Sequence, residues 1–120
     1  MASSGWYGFD LDGTLANDSN LGTFSPYIIG PPVKAIVDLI KQHLAEGKTC
    51  KIFTARVHLH DPVKKQAMID RIQDYLEKQC GLPRLEVTNI KTTGLRRLYD
   101  DRAYNVVRNK GIVHNPDSIT

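Results

Sequence analysis

Residues 6–14 read Trp-Tyr-Gly-Phe-Asp-Leu-Asp-Gly-Thr, an apolar run that breaks off at two carboxylates and a glycine. The run is too short for a helix and too apolar for a surface turn, so it is expected to be a buried strand, Trp6 to Leu11. Asp10 and Asp12 stand at positions i and i+2. On an extended chain they leave on one side with α-carbons about 7 Å apart, while Leu11 turns into the core. Gly13 lets the chain swing away immediately afterwards. A chain that starts this way must place two like charges together at the end of a buried strand, and whatever follows has to relieve that repulsion.

The remaining elements follow from periodicity and punctuation. Gly13 to Pro31 is rich in Gly, Asn, Ser, Thr and Pro. So long a loop in a small domain is more often functional than decorative. Pro31-Pro32 is expected to open a helix whose apolar stripe is Val33, Ile36, Val37, Ile40 and Leu44, with Gly47 as its stop. Cys50 to Thr54 reads as a second strand. Asp61-Pro62 is a strong helix start, and Met68, Ile69, Ile72, Tyr75 and Leu76 give that helix its buried face. Leu85 to Ile90 and Leu95 to Tyr99 read as two further strands, Asn105 to Val113 as a last short one, and residues 115–120 as a frayed tail. Strands alternating with helices imply an α/β fold, a three-layer Rossmann-like sandwich around a mostly parallel sheet, in one domain spanning residues 1–120.

Three of those strands end in polar residues: Asp10 and Asp12, Thr54, and Asp100 with Asp101. Open parallel sheets bind ligands at their carboxyl ends, near the point where strand order reverses. Four carboxylates at one rim call for a hard divalent cation, and oxygen-only ligation suits Mg²⁺. An EF-hand loop is excluded, because the ligand series does not continue beyond Asp12.

Composition narrows the classes further. Sixteen Lys and Arg against thirteen Asp and Glu leave a net charge of +3. That suits a phosphorylated substrate but does not by itself argue a nucleic-acid groove. No apolar stretch approaches transmembrane length, and the first residues carry no signal-peptide pattern, so a cytoplasmic protein is expected. Cys50 and Cys80 lack metal-ligand spacing and read as reduced thiols.

Phe9-Asp10-Leu11-Asp12-Gly13-Thr14-Leu15 resembles the first motif of the haloacid-dehalogenase-like (HAD) phosphohydrolases. Phe53-Thr54-Ala55-Arg56 resembles the second motif, Lys91 stands where the third places a lysine, and Tyr99-Asp100-Asp101-Arg102 resembles the acidic fourth. The four occur in the family's order and span residues 9–102. The resemblance implies a Mg²⁺-dependent phosphomonoesterase. Asp10 would be the nucleophile and Asp12 the acid and base. Thr54 and Lys91 would hold the phosphate. Asp10, the Asp12 carbonyl, and Asp100 or Asp101 would ligate the metal. Arg56, two residues past Thr54 as in the family's polynucleotide-end phosphatases, would touch substrate. Only nine positions separate Lys91 from Asp100, fewer than a parallel crossover needs. Lys65 and Lys78 are the alternatives.

Large insertions are missing from the intervals where such proteins carry caps, so a capless core is expected. Cores of that kind either form homo-oligomers or act on large substrates that cover the site. Sugar phosphates, nucleotides and phosphorylated nucleic-acid ends all fit. Phe24 and Tyr27 in the long loop are expected to touch substrate. His58 and His60 could share a face but lack a third ligand. Arg96-Arg97 is expected at the opposite rim, and Arg102 in an ion pair with the acidic residues. A phosphate-binding module without turnover is the alternative function. A receiver-type phospho-acceptor is disfavoured by the order of its motifs.

Overall fold

The computed structural model describes residues 5–19 and 28–114. Phe24, Tyr27 and the expected tail at 115–120 lie outside them. Four strands form one sheet: β1 (Trp6–Asp10), β2 (Thr49–Phe53), β3 (Glu86–Thr88) and β4 (Leu95–Tyr99). Every pairing in it is parallel, in the order β3-β2-β1-β4. Helix α1 (Lys34–Ala45) joins β1 to β2, and α2 (Pro62–Lys78) joins β2 to β3.

Both helical crossovers step across the sheet in the same direction, so the right-handed rule puts both helices on the same face. The packing agrees. His43 of α1 meets Tyr7 and Phe9 of β1 edge-on, at ring-centre distances of 5.0 and 5.7 Å. The buried residues of α2 join Phe9, Ile52 and Val87 in one core. Among the described residues there are therefore two layers, where three were expected. The missing third layer has a simple cause. Only residues 89–94 connect β3 to β4, too few for a helix. They must cross three strand spacings, about 14 Å, within a reach of about 25 Å, and an extended strap can do that. Thr92 anchors this strap, its hydroxyl accepting the Trp6 indole N–H at 2.7 Å, while the Gly94 carbonyl accepts the Trp6 amide. Trp6 is buried on the face away from the helices, with the Lys51 ammonium over its ring.

Helix α1 begins at Lys34, three residues later than the Pro-Pro pair suggested. Residues 31–33 are instead held extended against the chain leaving β1: the Asn17 amide donates to the Pro31 carbonyl, and the Val33 amide to the Leu15 carbonyl. The preference of a residue before proline for extended backbone favours the same arrangement. Helix α2 starts as expected, with the Asp61 carboxylate capping the Val63 and Lys64 amides and Pro62 in the first turn.

The last expected strand is a separate antiparallel hairpin, β5 (Asn105–Val106) paired with β6 (Val113–His114). Asn109 takes a positive φ of 61° in its turn, a conformation Asn tolerates better than most residues. None of the helices among the described residues is long and apolar enough to cross a membrane. Cys50 and Cys80 are buried free thiols, and burial pushes the Cys50 thiol up to about 11, which makes it unreactive.

Gly30 is a close-packing point. A side chain there would run into the Asn17 backbone carbonyl, and the Gly30 carbonyl itself accepts the buried Tyr75 hydroxyl at 2.9 Å. Because the obstructing atom is backbone, Gly30→Ala should destabilise the protein by about 1–3 kcal/mol, the scale of overpacking. Chemical denaturation checks this. An unchanged midpoint would mean that the 28–33 segment is not packed as described.

Candidate active site

Strand order reverses between β1 and β4, since β2 and β3 lie on one side of β1 and β4 on the other. Asp10 ends β1, and Asp100-Asp101 directly follow β4. The parallel register, Phe9 opposite Tyr99, brings these two strand ends side by side. Below them, Phe9 stacks on Tyr99 with ring centres 4.6 Å apart, and the Tyr99 hydroxyl lies 3.2 Å from His43 Nε2. This aromatic floor ties the two strand ends together just before the carboxylates.

Asp10, Asp100 and Asp101 each offer a carboxylate oxygen within 4.8 Å of the others. Asp10 is pushed up to about 7, first by burial, then by its hydrogen bond with Asp101 and the charge of Asp100. Asp101 is further tied to the chain after β1 by the Thr14 hydroxyl at 3.4 Å. Gly13, at φ 85°, passes so close that a Cβ would strike the Asp101 carboxylate. The glycine is needed here for approach as well as for the turn. Asp100 lines the cleft itself and caps its own turn by accepting the Arg102 amide at 2.8 Å. All three donors are carboxylate oxygens, a set that fits a hard cation.

Asp12 takes a different partner. Arg56 Nε and Nη2 donate to its two oxygens, both at 2.7 Å, and Nη2 also donates to the Ile28 carbonyl at 2.9 Å. The Arg56 side chain is 3% exposed and that of Asp12 29%. The Asp12 carboxylate is therefore not one of the three clustered carboxylates, and of the expected metal ligands it differs from Asp10, Asp100 and Asp101. The chain does not continue extended past Thr54. It turns into a short 3-10 segment, Ala55–Val57, capped by the Thr54 hydroxyl, which accepts the Arg56 amide at 3.2 Å. That turn aims Arg56 at Asp12 and the returning loop rather than at open solvent. Thr54 is buried on the cleft wall, and accepting that amide leaves its own proton as a donor.

The cleft has a volume of about 520 Å³. Asp10, Asp12, Thr54, Arg56 and Asp100 line it as the sequence reading grouped them. Lys91 does not: it is exposed on the strap after β3 and is not among the lining residues. Lys65 and Lys78 also stay outside it. Arg102 does line the cleft, but its guanidinium makes no ion pair with a carboxylate among the described residues, contrary to expectation; only its backbone amide meets Asp100. Asp18, which lines the cleft, and Thr14, which holds Asp101 beside it, are additional members that sequence reasoning left without a role. Thr14 was within reach as the last residue of the Asp-x-Asp-Gly-Thr run, whereas nothing local marks Asp18. His58 pairs with Asn89 at 3.2 Å, and neither it nor His60 belongs to a three-ligand group among the described residues. Arg96 and Arg97 are exposed in β4, away from the cleft.

Comparison of the chain with protein-family models, with curated proteins and with solved structures finds no match. The functional reading therefore rests on the cleft and on the sequence motifs that line it.

Two outcomes follow from this electrostatic arrangement. The folded protein holds the Asp10 proton up to about pH 7, whereas the unfolded chain releases it near 3.8. This contribution to stability is thus complete below pH 3.8 and is lost as pH rises through about 7. The melting temperature of metal-free protein should fall across that window, and Asp10→Asn should flatten the fall. An identical pH profile in the variant would dismiss the crowding at Asp10. Separately, Arg56→Ala leaves the Asp12 carboxylate unpaired and releases Ile28. It should cost about 3 kcal/mol, the low end for breaking a buried pair because Asp12 is partly exposed. Equilibrium unfolding in urea reads this loss, and a cost below about 1 kcal/mol would make the pair a surface contact in all but appearance.

Proposed function

We propose that this protein is a Mg²⁺-dependent phosphomonoesterase that works through an aspartyl-phosphate on Asp10. The observation that carries the proposal is the meeting, at the switch point of a parallel sheet, of a crowded carboxylate, two further carboxylates from the adjacent strand end, and a buried threonine hydroxyl. The resemblance of residues 9–15, 53–56 and 99–102 to HAD phosphohydrolase motifs supports the same reading.

In this reading an Asp10 oxygen attacks phosphorus while the bond to the leaving oxygen breaks, and Asp12 supplies that oxygen with a proton. Water then attacks the phospho-aspartate, Asp12 takes the proton back, and phosphate leaves with the Asp10 carboxylate restored. The Thr54 hydroxyl would donate to a phosphoryl oxygen, the kind of fixed donor that phosphoryl transfer depends on. Asp10, Asp100 and Asp101 would hold Mg²⁺, which would neutralise charge among them and on the phosphate. The bidentate hold of Arg56 would fix the Asp12 carboxylate in direction. Lys91, exposed on the strap, has no support from the cleft lining for the phosphate-binding role the resemblance implied.

A phosphate-binding module without turnover is the second reading. It is favoured by the engagement of both Asp12 oxygens with Arg56, which must loosen before Asp12 can carry a proton. Steady-state hydrolysis of p-nitrophenyl phosphate separates the two. Wild-type protein should turn over with Mg²⁺ and stop in excess EDTA. Asp10→Asn should lose at least about 10³-fold in kcat, the scale of losing a nucleophile, with an unchanged circular dichroism spectrum. Hydrolysis that survives in Asp10→Asn would end the proposed role of Asp10. Mg²⁺-dependent phosphate binding without turnover would select the second reading.

A further inference from the structure

The chain leaves the cleft through Arg102 and, three residues later, enters the β5–β6 hairpin. Residues 102–114 contain Arg102, Arg108 and Lys110 and no carboxylate. The same short segment displays Tyr104, Val106, Ile112 and Val113, each between 54% and 57% exposed. Among the described residues, no helix or main-sheet strand packs extensively on the hairpin. An isolated two-stranded hairpin is marginal in water, so an apolar ribbon left this bare is expected to have a ligand.

Charge and position indicate which. A second copy of this chain, docked by two-fold symmetry, would set the same cationic ribbon against itself. A polyanion meets the opposite sign. Arg102 lies on the cleft wall and Arg108 at most about 20 Å farther along the chain. A ligand that carries a phosphate on every unit can therefore fill the cleft and follow the hairpin at once. The exposed Tyr104 ring between them offers a face on which a base can stack.

We propose that Arg102 and the β5–β6 hairpin form a track for a single-stranded polynucleotide whose phosphorylated end enters the cleft. The proposal rests on the phosphomonoesterase reading for what happens at that end, but binding along the hairpin is separable from it. Arg108 and Lys110 contact the phosphates behind the terminal one, and Tyr104 carries a base.

The test is fluorescence anisotropy with a fluorescein-labelled dodecathymidylate bearing a terminal phosphate, at the 3′ or the 5′ end in separate probes. Asp10→Asn protein in Mg²⁺ serves as the host, so that the probe is not consumed. Combining Arg108→Ala with Lys110→Ala should weaken binding about tenfold or more. The same pair should lower the steepness of log Kd against log salt by about 1.4, the share of two single-strand phosphate contacts. Tyr104→Ala should weaken binding about tenfold with the salt slope unchanged, as loss of a stacking contact does. In an otherwise wild-type chain, the Arg108 and Lys110 substitutions should leave p-nitrophenyl phosphate hydrolysis within twofold, because neither residue lines the cleft.

An unchanged affinity and salt slope in the double variant overturns the proposal. So does dependence of anionic phospholipid vesicle binding, rather than oligonucleotide binding, on these residues, or a wild-type dimer in sedimentation that the same substitutions dissociate. Hairpin-dependent oligonucleotide binding by a protein that hydrolyses nothing would uphold the track and reject only the phosphatase reading.

Discussion

Parallel pairing of β1 with β2 on one edge and β4 on the other is the constraint on which the cleft depends. It forces the carboxyl end of β1 to lie beside the carboxyl end of β4, and both ends carry aspartate. Such crowding opposes folding, and the structure offsets it from below. Phe9 stacks on Tyr99, and the buried His43 of α1 meets the edges of both rings, with Tyr99 itself half-buried. Rigid aromatic packing under a charged rim is what allows the carboxylates to be held close without spreading apart.

The second tension is at Asp12. One carboxylate of the Asp-x-Asp pair joins the cluster, and the other is taken by Arg56. This division leaves three carboxylates rather than four to share the same space. It also joins three parts of the chain that are far apart in sequence: the end of β1, the turn after β2, and the returning leg of the long loop at Ile28. The same leg is fixed again by Tyr75 of α2 at Gly30 and by the backbone pairing of residues 15–17 with 31–33. The loop that leaves β1 is thus anchored at its far end by contacts with Arg56 on the cleft wall and with Tyr75. The cleft wall and this end of the loop are therefore mechanically coupled.

The connection from β3 to β4 explains the shape of the open side. A helix there would have covered the second face of the sheet and raised a wall beside the cleft. The short strap instead leaves that face to Trp6 and the Lys51 stem, and it delivers the chain to β4 with little left over. Beyond Asp101 the remaining described chain forms the small cationic hairpin. A cleft of this kind suits a ligand larger than itself, which is the physical link between the two proposals.

The sequence alone was enough for the order of the main elements through β4, the parallel α/β class, and the grouping of Asp10, Thr54, Asp100 and Asp101, because strand ends marked by Asp-Gly, Thr and Asp-Asp are local signals. It was also enough for Leu11 in the core and Asp61-Pro62 at the start of α2, since alternation and capping are set within a few residues. Tertiary structure alone decided the rest. Whether the 31–33 segment becomes a first helical turn depends on a backbone partner at Leu15. Whether Arg56 reaches a ligand or Asp12 depends on the 3-10 turn after Thr54. Lys91 and Arg102 have similar local credentials as phosphate cations, and only the path of the strap keeps the first outside the cleft lining while the turn after β4 puts the second within it. The lone histidine of α1 shows no pattern at all, yet it became the centre of the aromatic floor. Local sequence fixes conformation over a turn or a strand, but which side chains finally meet is settled by chain segments that come together only after the sheet has formed.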